Sequence, residues 1–442
     1  MHRTIKFVLL LLAVALPLHA AGTIFPYAYQ EKSLDNGLNI ILIPIKNQGL
    51  VSYFTIVHAG SRDEIEPGKS GFAHFFEHMM FRGTEKYPAE VYNEIAAEMG
   101  ADRNAYTTDD YTCYYLHFPS KYLEKVVDLE ADRFRNLKYS VPNFQTEAKA
   151  VLGEYNKNFA NPFFQIEEKL YDTAFEKSSY KHTTMGFLRD IEAMPNQYDY
   201  SLTFFERFYR PENCTIVITG NFDPQQALAY IQKYYATWKP GNYKTVVPQE
   251  PEQTEAKQAA VEYKGDTLPI LAVGYKAPAF GVQSKEFAAL DLLGDLAFGE
   301  TSPLYQQLVL QQQTVDVLEP DYAPHRDPNL FSIYARLKKA DDMDKVQAMI
   351  NSTIEEMKKT PVDAKKLADL KSNLKYGFLM GLDTSKNVGA RLARYLELTR
   401  NMKGIDELFL TYDSITPEDV RKVAQKYFEP EKKTVVILTG GK

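Results

Sequence analysis

The stretch "SGFAHFFEHMMFRGTEKYP", Ser70 to Pro88, sets two histidines and a glutamate inside an otherwise apolar run. On a helix, positions i, i+3 and i+4 share a face, so His74, Glu77 and His78 project together while Phe75, Phe76, Met79 and Phe81 are left to pack. A lone histidine on an apolar face is ordinarily a satisfied core residue. Two of a chain's eight histidines placed one turn apart, with an acid between them, instead form one of the few zinc motifs with a defined chemistry. Zinc takes imidazole nitrogen readily and prefers tetrahedral coordination, so two histidines need a third protein ligand if one corner is to stay open to water. The helix-like stretch "FQTEAKAVLGEYNKN" offers Glu147 and Glu154, seven residues apart on one face. One could coordinate while the other supports a ligand. From the residues alone, either could equally be an exposed helix carboxylate.

Further along, "FYRPENCTIVITGNF" near residue 210 and the terminal "KYFEPEKKTVVILTGGK" both pass from an aromatic-x-Pro-Glu turn into a β-branched strand ending at Thr-Gly. Pro211 and Pro430 are 219 residues apart, and the same shift carries "LNIILIP" onto the strand-like residues near 259. Self-similarity at a fixed period marks an internal duplication. Each copy orders strands and helices so as to imply an α+β domain with helices packed on a largely antiparallel sheet. The predicted division is 21–237, a Pro/Gln-rich linker 238–258, and 259–442. Sliding the copies together sets "HFFEHMMFRGT" against "DLLGDLAFGET", so His74, Glu77 and His78 face Asp291, Gly294 and Asp295. The apolar frame persists while the polar set is lost, which favours chemistry in the first copy only.

HxxEH followed 76 residues after His78 by Glu154 resembles the inverted zinc motif of the M16 peptidases, the family of insulinase, pitrilysin and mitochondrial processing peptidase. "FRGTEKYP", "NAYTTDDYTCYY" at Asn104–Tyr115, the "FYRPEN" turn and the duplication extend the likeness over nearly the whole chain. The resemblance implies Zn2+ as cofactor, held by His74, His78 and Glu154, with Glu77 as general base and Glu147 supporting a ligand. It also implies that Asn104 and Ala105 lie on an edge strand where an extended peptide adds to the sheet. Family members complete the site with an Arg and a Tyr from the C-terminal half. Alignment on Leu304 and Leu308 puts Val309 and Asp316 there instead, and neither can stabilise a developing oxyanion. The expectation is therefore half of a clamshell whose second, M16-like subunit supplies the missing pair. A homodimer would need Tyr322 or another residue in that role, and a non-catalytic structural or peptide-binding subunit is the rival reading.

Arg3 and Lys6 before "FVLLLLAVALPL", with Ala20 as a small cleavage residue, read as a secretory signal peptide over 1–20, and so suggest the periplasm. Its apolar run is short for a bilayer core, and no later run approaches spanning length. Loss of the two cations would lower the formal charge from −7 to −9, and no basic patch points to nucleic acid. Cys113 and Cys214 fall in strand-like stretches of the same half, and a disulfide or two buried thiols are equally compatible with that.

Overall fold

The internal duplication is a duplication of sheet topology. A computed structural model describes residues 23–46 and 49–441, so the signal peptide expected over 1–20 lies outside the described residues. The first half contributes β1 (Gln30–Ser33), β2 (Asn39–Pro44), β3 (Leu50–Val57), β4 (Asp102–Thr107), β5 (Thr112–Pro119) and β6 (Cys214–Gly220), ordered β1-β2-β6-β3-β5-β4. The second contributes β7 (Lys257–Tyr263), β8 (Ile270–Lys276), β9 (Val315–Asp321), β10 (Leu330–Leu337) and β11 (Lys433–Gly440), ordered β7-β11-β8-β10-β9. Apart from the added edge strand β1, the two orders coincide. Each sheet has a single parallel pair, β2 with β6 and β7 with β11, and is otherwise antiparallel. The fold is α+β, as the element order implied.

The central strands bury both faces, which is why "NIILIP" and "CTIVITG" read as continuous apolar runs rather than alternating ones. One face of the first sheet, through Ile40, Leu42, Tyr53 and Ile218, packs on helices of its own half. The other face, through Ile41, Ile43, Phe54, Ile56 and Val217, joins a core with Val388, Leu392 and Leu396 of the second-half helix Ser385–Thr399. That helix lies so close that a Cβ on Gly389 would come within 2.0 Å of the Phe54 ring. The second sheet is treated the same way. Ile270, Ala272, Val436 and Leu438 pack on Ile166 and Leu170 from the first-half helix Pro162–Ala174.

The halves are also tied by polar contacts. Residues 238–256 carry neither helix nor strand. They are anchored all the same, because the Glu250 carboxylate accepts from the backbone N–H of Glu176, Lys177 and Ser178 and from Lys276 Nζ at 2.5 Å. Cys113 opposes Ile56 and Cys214 opposes Val57 across β3, so they sit on opposite faces of the sheet. Both are buried free thiols.

His325 Nε2 lies 3.0 Å from Asp109 Oδ2, and its Nδ1 faces the Ala323 carbonyl at 2.8 Å. Both neighbours are acceptors, so only the doubly protonated ring satisfies them. Burial alone would lower the pKa of His325, but Asp109 raises it above its ordinary value. A histidine raised on folding gives stability that is complete below its unfolded pKa and is lost as pH climbs through the folded one. Chemical denaturation should therefore show stability falling as pH rises through the raised pKa of His325. In His325→Gln that slope should flatten.

Candidate metal site

The helix α1 (Phe72–Met79), which carries His74, Glu77 and His78, forms because its apolar positions find partners on every side but one. Phe76 stacks on Phe204 at 5.1 Å, and Phe75 meets Phe144 edge-on at 5.0 Å. Its start is unusual. Gly71 stands at the N-cap in the left-handed region, φ +89°, where a Cβ would meet the Met185 carbonyl at 2.7 Å. With no side chain to cap the helix, the carboxylate of Glu64 does so, accepting from the N–H of Gly71 and of Ala73 at 2.6 Å each. Next to it, Asp190 accepts from Ser70 Oγ at 2.6 Å, and Ser70 Oγ accepts from the Phe187 N–H at 2.8 Å.

The second helix of the site, Val141–Phe159, begins at Ser140, whose hydroxyl accepts from the Asn143 N–H. It buries Phe144, Glu147, Ala148, Val151 and Tyr155 along one stripe, and that docks it against α1. Glu147 and Glu154 are thereby delivered to the turn that carries His74 and His78.

His74 Nε2 lies 3.7 Å from Glu154 Oε2, and His78 Nε2 lies 3.3 Å from the same oxygen. One donor atom from each of the three side chains falls within 4.8 Å of the others, the only such cluster among the described residues. His78 Nδ1 is 2.9 Å from Glu147 Oε1, which holds a proton on Nδ1 and turns Nε2 towards Glu154. Glu147 in turn takes hydrogen bonds from Arg82. Burial by itself would raise Glu147, but His78 and Arg82 hold its carboxyl below the ordinary range. Burial, reinforced by the charge of His78, pushes His74 down to about 3, so its imidazole is neutral and its lone pair available. Its buried Nδ1 has no hydrogen-bond partner. Burial works against a charge on His78, but Glu147 raises its pKa, so a zinc ion bound at Nε2 would displace a proton; two imidazoles and a carboxylate suit that ion in number and chemistry.

Glu77 lies on the same face. Its Oε2 accepts from Thr107 Oγ1 at 2.6 Å, at the end of β4, and burial raises its pKa. β4 is the open edge of the first sheet. Asn104 there is exposed and Ala105 buried. The Ala105 N–H is taken by Asn104 Oδ1 at 2.9 Å, so it is directed away from β5.

The matching place in the second half has no such set. Asp291 accepts from Tyr412 Oη at 2.5 Å, and a Cβ on Gly294 would press on Phe331 at 3.3 Å. Val309 packs on the apolar core, Asp316 is bound twice by Arg336 at 2.9 Å, and Tyr322 Oη donates to the Pro278 carbonyl at 3.1 Å.

The description "Insulinase (Peptidase family M16)" matches residues 42–187, and "Peptidase M16 inactive domain" matches 197–374. The chain is 27% identical over 420 residues to the zinc protease PqqE of Helicobacter pylori, covering 93% of this chain and 92% of the relative. The chain is a zinc protease of the M16 family. The mouse mitochondrial-processing peptidase subunit beta is 25% identical to this M16 peptidase over 424 residues, 92% of this chain and 84% of the relative. The crystal structure of a protease from Helicobacter pylori superposes with a TM-score of 0.86 at 26% identity, covering 94% of this chain and 100% of that one.

Glu64, Asp190, Thr107 and Arg82 escaped the sequence reading. Arg82, four residues after His78, was the one with a local signal. Replacing Gly71 by Ala should cost about 1–2 kcal/mol from the left-handed backbone alone, seen as a lower thermal midpoint.

Proposed function

We propose that the chain is an exported endopeptidase that hydrolyses extended, unfolded peptides at the site on α1. His74, His78 and Glu154 would hold the zinc, and Glu147 would orient His78. The observation that carries this reading is the placement of Glu77, on the same face as the imidazoles and hydrogen-bonded to the open edge strand. When bound, the ion supplies Lewis-acid polarisation and brings the pKa of water at its open corner towards neutrality. Glu77, with Oε2 fixed by Thr107, keeps Oε1 to accept a proton and return it to the leaving amine. The open edge of β4 suits main-chain pairing with a peptide, and the Ala105 N–H, occupied by the neighbouring Asn104 side chain, is the donor such a peptide would take over.

Two further parts of the proposal rest on sequence. The basic, then apolar, N-terminal residues support export to the periplasm, and the repeated aromatic-x-Pro-Glu turn supports the division 21–237, 238–258 and 259–442. Among the described residues no helix is long and apolar enough to cross a membrane. The partner reading is supported by Val309 and Asp316, since the first is apolar and the second already spent on Arg336. The mouse relative is itself named as a subunit. A second M16-like chain would bring the Arg-Tyr pair over the zinc.

In Glu77→Gln, metal analysis should find zinc retained while peptide cleavage falls by about 10²–10⁴-fold; normal cleavage would sink the assignment. Glu147→Gln should weaken zinc binding by about 10–100-fold in chelator competition.

A further inference from the structure

The loop between β9 and β10 carries His325, Arg326 and Asp327, and all three side chains reach across to the metal-bearing half. Arg326 is the hub. Its Nη2 donates to Asp63 Oδ2 at 2.8 Å, its Nε lies 3.3 Å from Asp110 Oδ1, and its backbone N–H donates to Asp110 Oδ2 at 3.1 Å. The same Nε is 3.1 Å from Glu397 Oε1 on the helix Ser385–Thr399. One guanidinium is thus shared by three buried carboxylates from three separate elements. On either side, Asp327 receives Arg62 Nε at 2.6 Å and His325 faces Asp109.

These partners are not scattered. Arg62 and Asp63 immediately precede Glu64, whose carboxylate holds the N–H groups of Gly71 and Ala73 at the start of the metal helix. Asp109 and Asp110 form the turn after β4, the strand whose Thr107 holds Glu77. The flanking segments touch directly, the Arg62 N–H donating to the Asp109 carbonyl at 2.8 Å and Ser61 Oγ to Asp109 Oδ1 at 3.0 Å, and cleavage needs Glu77, the zinc ligands and a peptide on β4 in one fixed register. Misplacement by about 1 Å can cost on the order of 10²-fold in rate. A planar fork with five donors can hold several carboxylates at fixed angles, which an ammonium cannot.

We propose that Arg326 is a positioning residue for the catalytic site, clamping the segment that caps the metal helix and the turn that ends the peptide-binding strand into one register. The half without metal thereby acts directly on the geometry of cleavage. This rests on the peptidase reading above, but its test does not.

Hydrogen exchange on the full chain, metal-free and zinc-loaded, should show Arg326→Met accelerating exchange in residues 71–74 and 104–111 while β11 keeps its protection. At saturating zinc the same variant should lose about tenfold to a hundredfold in peptide turnover per zinc-loaded molecule. Uniform acceleration that includes β11, or unchanged exchange at 71–74, would overturn the proposal, since either is what a merely structural residue gives. Should Arg326→Met fail to fold, Arg326→Lys decides, because it keeps the charge and loses the planar fork. It should raise exchange at 71–74 locally and by a smaller factor, and no change there would overturn the clamp. If even the wild-type chain cleaved nothing, the peptidase reading would fail while the exchange pattern still answered the question about Arg326.

Discussion

A central sheet has two faces to remove from water, and each half of this chain reserves one of its helices for the other half. The helix Pro162–Ala174 closes the second sheet, and Ser385–Thr399 closes the first. Apolar burial is worth about 25 cal/mol per Å², so a face left open on either sheet would be a large standing penalty. The exchange therefore makes the two halves one cooperative object. It also brings Glu397 and the loop 325–327 within reach of the charged segments at 62–64 and 109–110, where an acidic chain spends its buried cations.

The site inherits this rigidity. The metal helix is short, and its hold on position comes from both ends. Glu64 satisfies the N–H groups at its start, while Glu147 fixes His78 near its end. Packing of Phe75 on Phe144 sets the distance to the helix that carries Glu154. His74, His78 and Glu154 come from two helices of the same half, so the geometry of that cluster is a property of the first half. The segments that flank this cluster and the edge strand β4 are tied to both halves through Arg326.

What could be read from the sequence follows from how local each signal is. His74, Glu77 and His78 announce themselves within one turn, and the repeated Pro-Glu turn before β6 and β11 exposes the duplication because both copies keep the same punctuation. Glu154 became legible through its distance from the motif in the family resembled, since helical spacing alone left it tied with Glu147. Glu64 was hidden because helix starts are sought at Ser, Thr, Asp or Asn in the N-cap position, whereas here a left-handed glycine stands there and the cap arrives from seven residues upstream. The thiols stayed ambiguous because composition does not say that β3 lies between them. The helix exchange was equally invisible: periodicity shows that a strand is buried on both faces, but not which segment covers it. Asp316 looked only like a missing tyrosine until its bidentate pairing with Arg336 gave it a structural occupation.

The exchanged helices bear on how the molecule is made. Synthesis runs from the N-terminus, and the first sheet has all its strands once β6 has left the ribosome. Ile41, Ile43, Phe54, Ile56 and Val217 then wait for residues 388–396, which are still untranslated. A greasy β-surface held open over that interval is what holdase chaperones recognise and what aggregates when they are scarce.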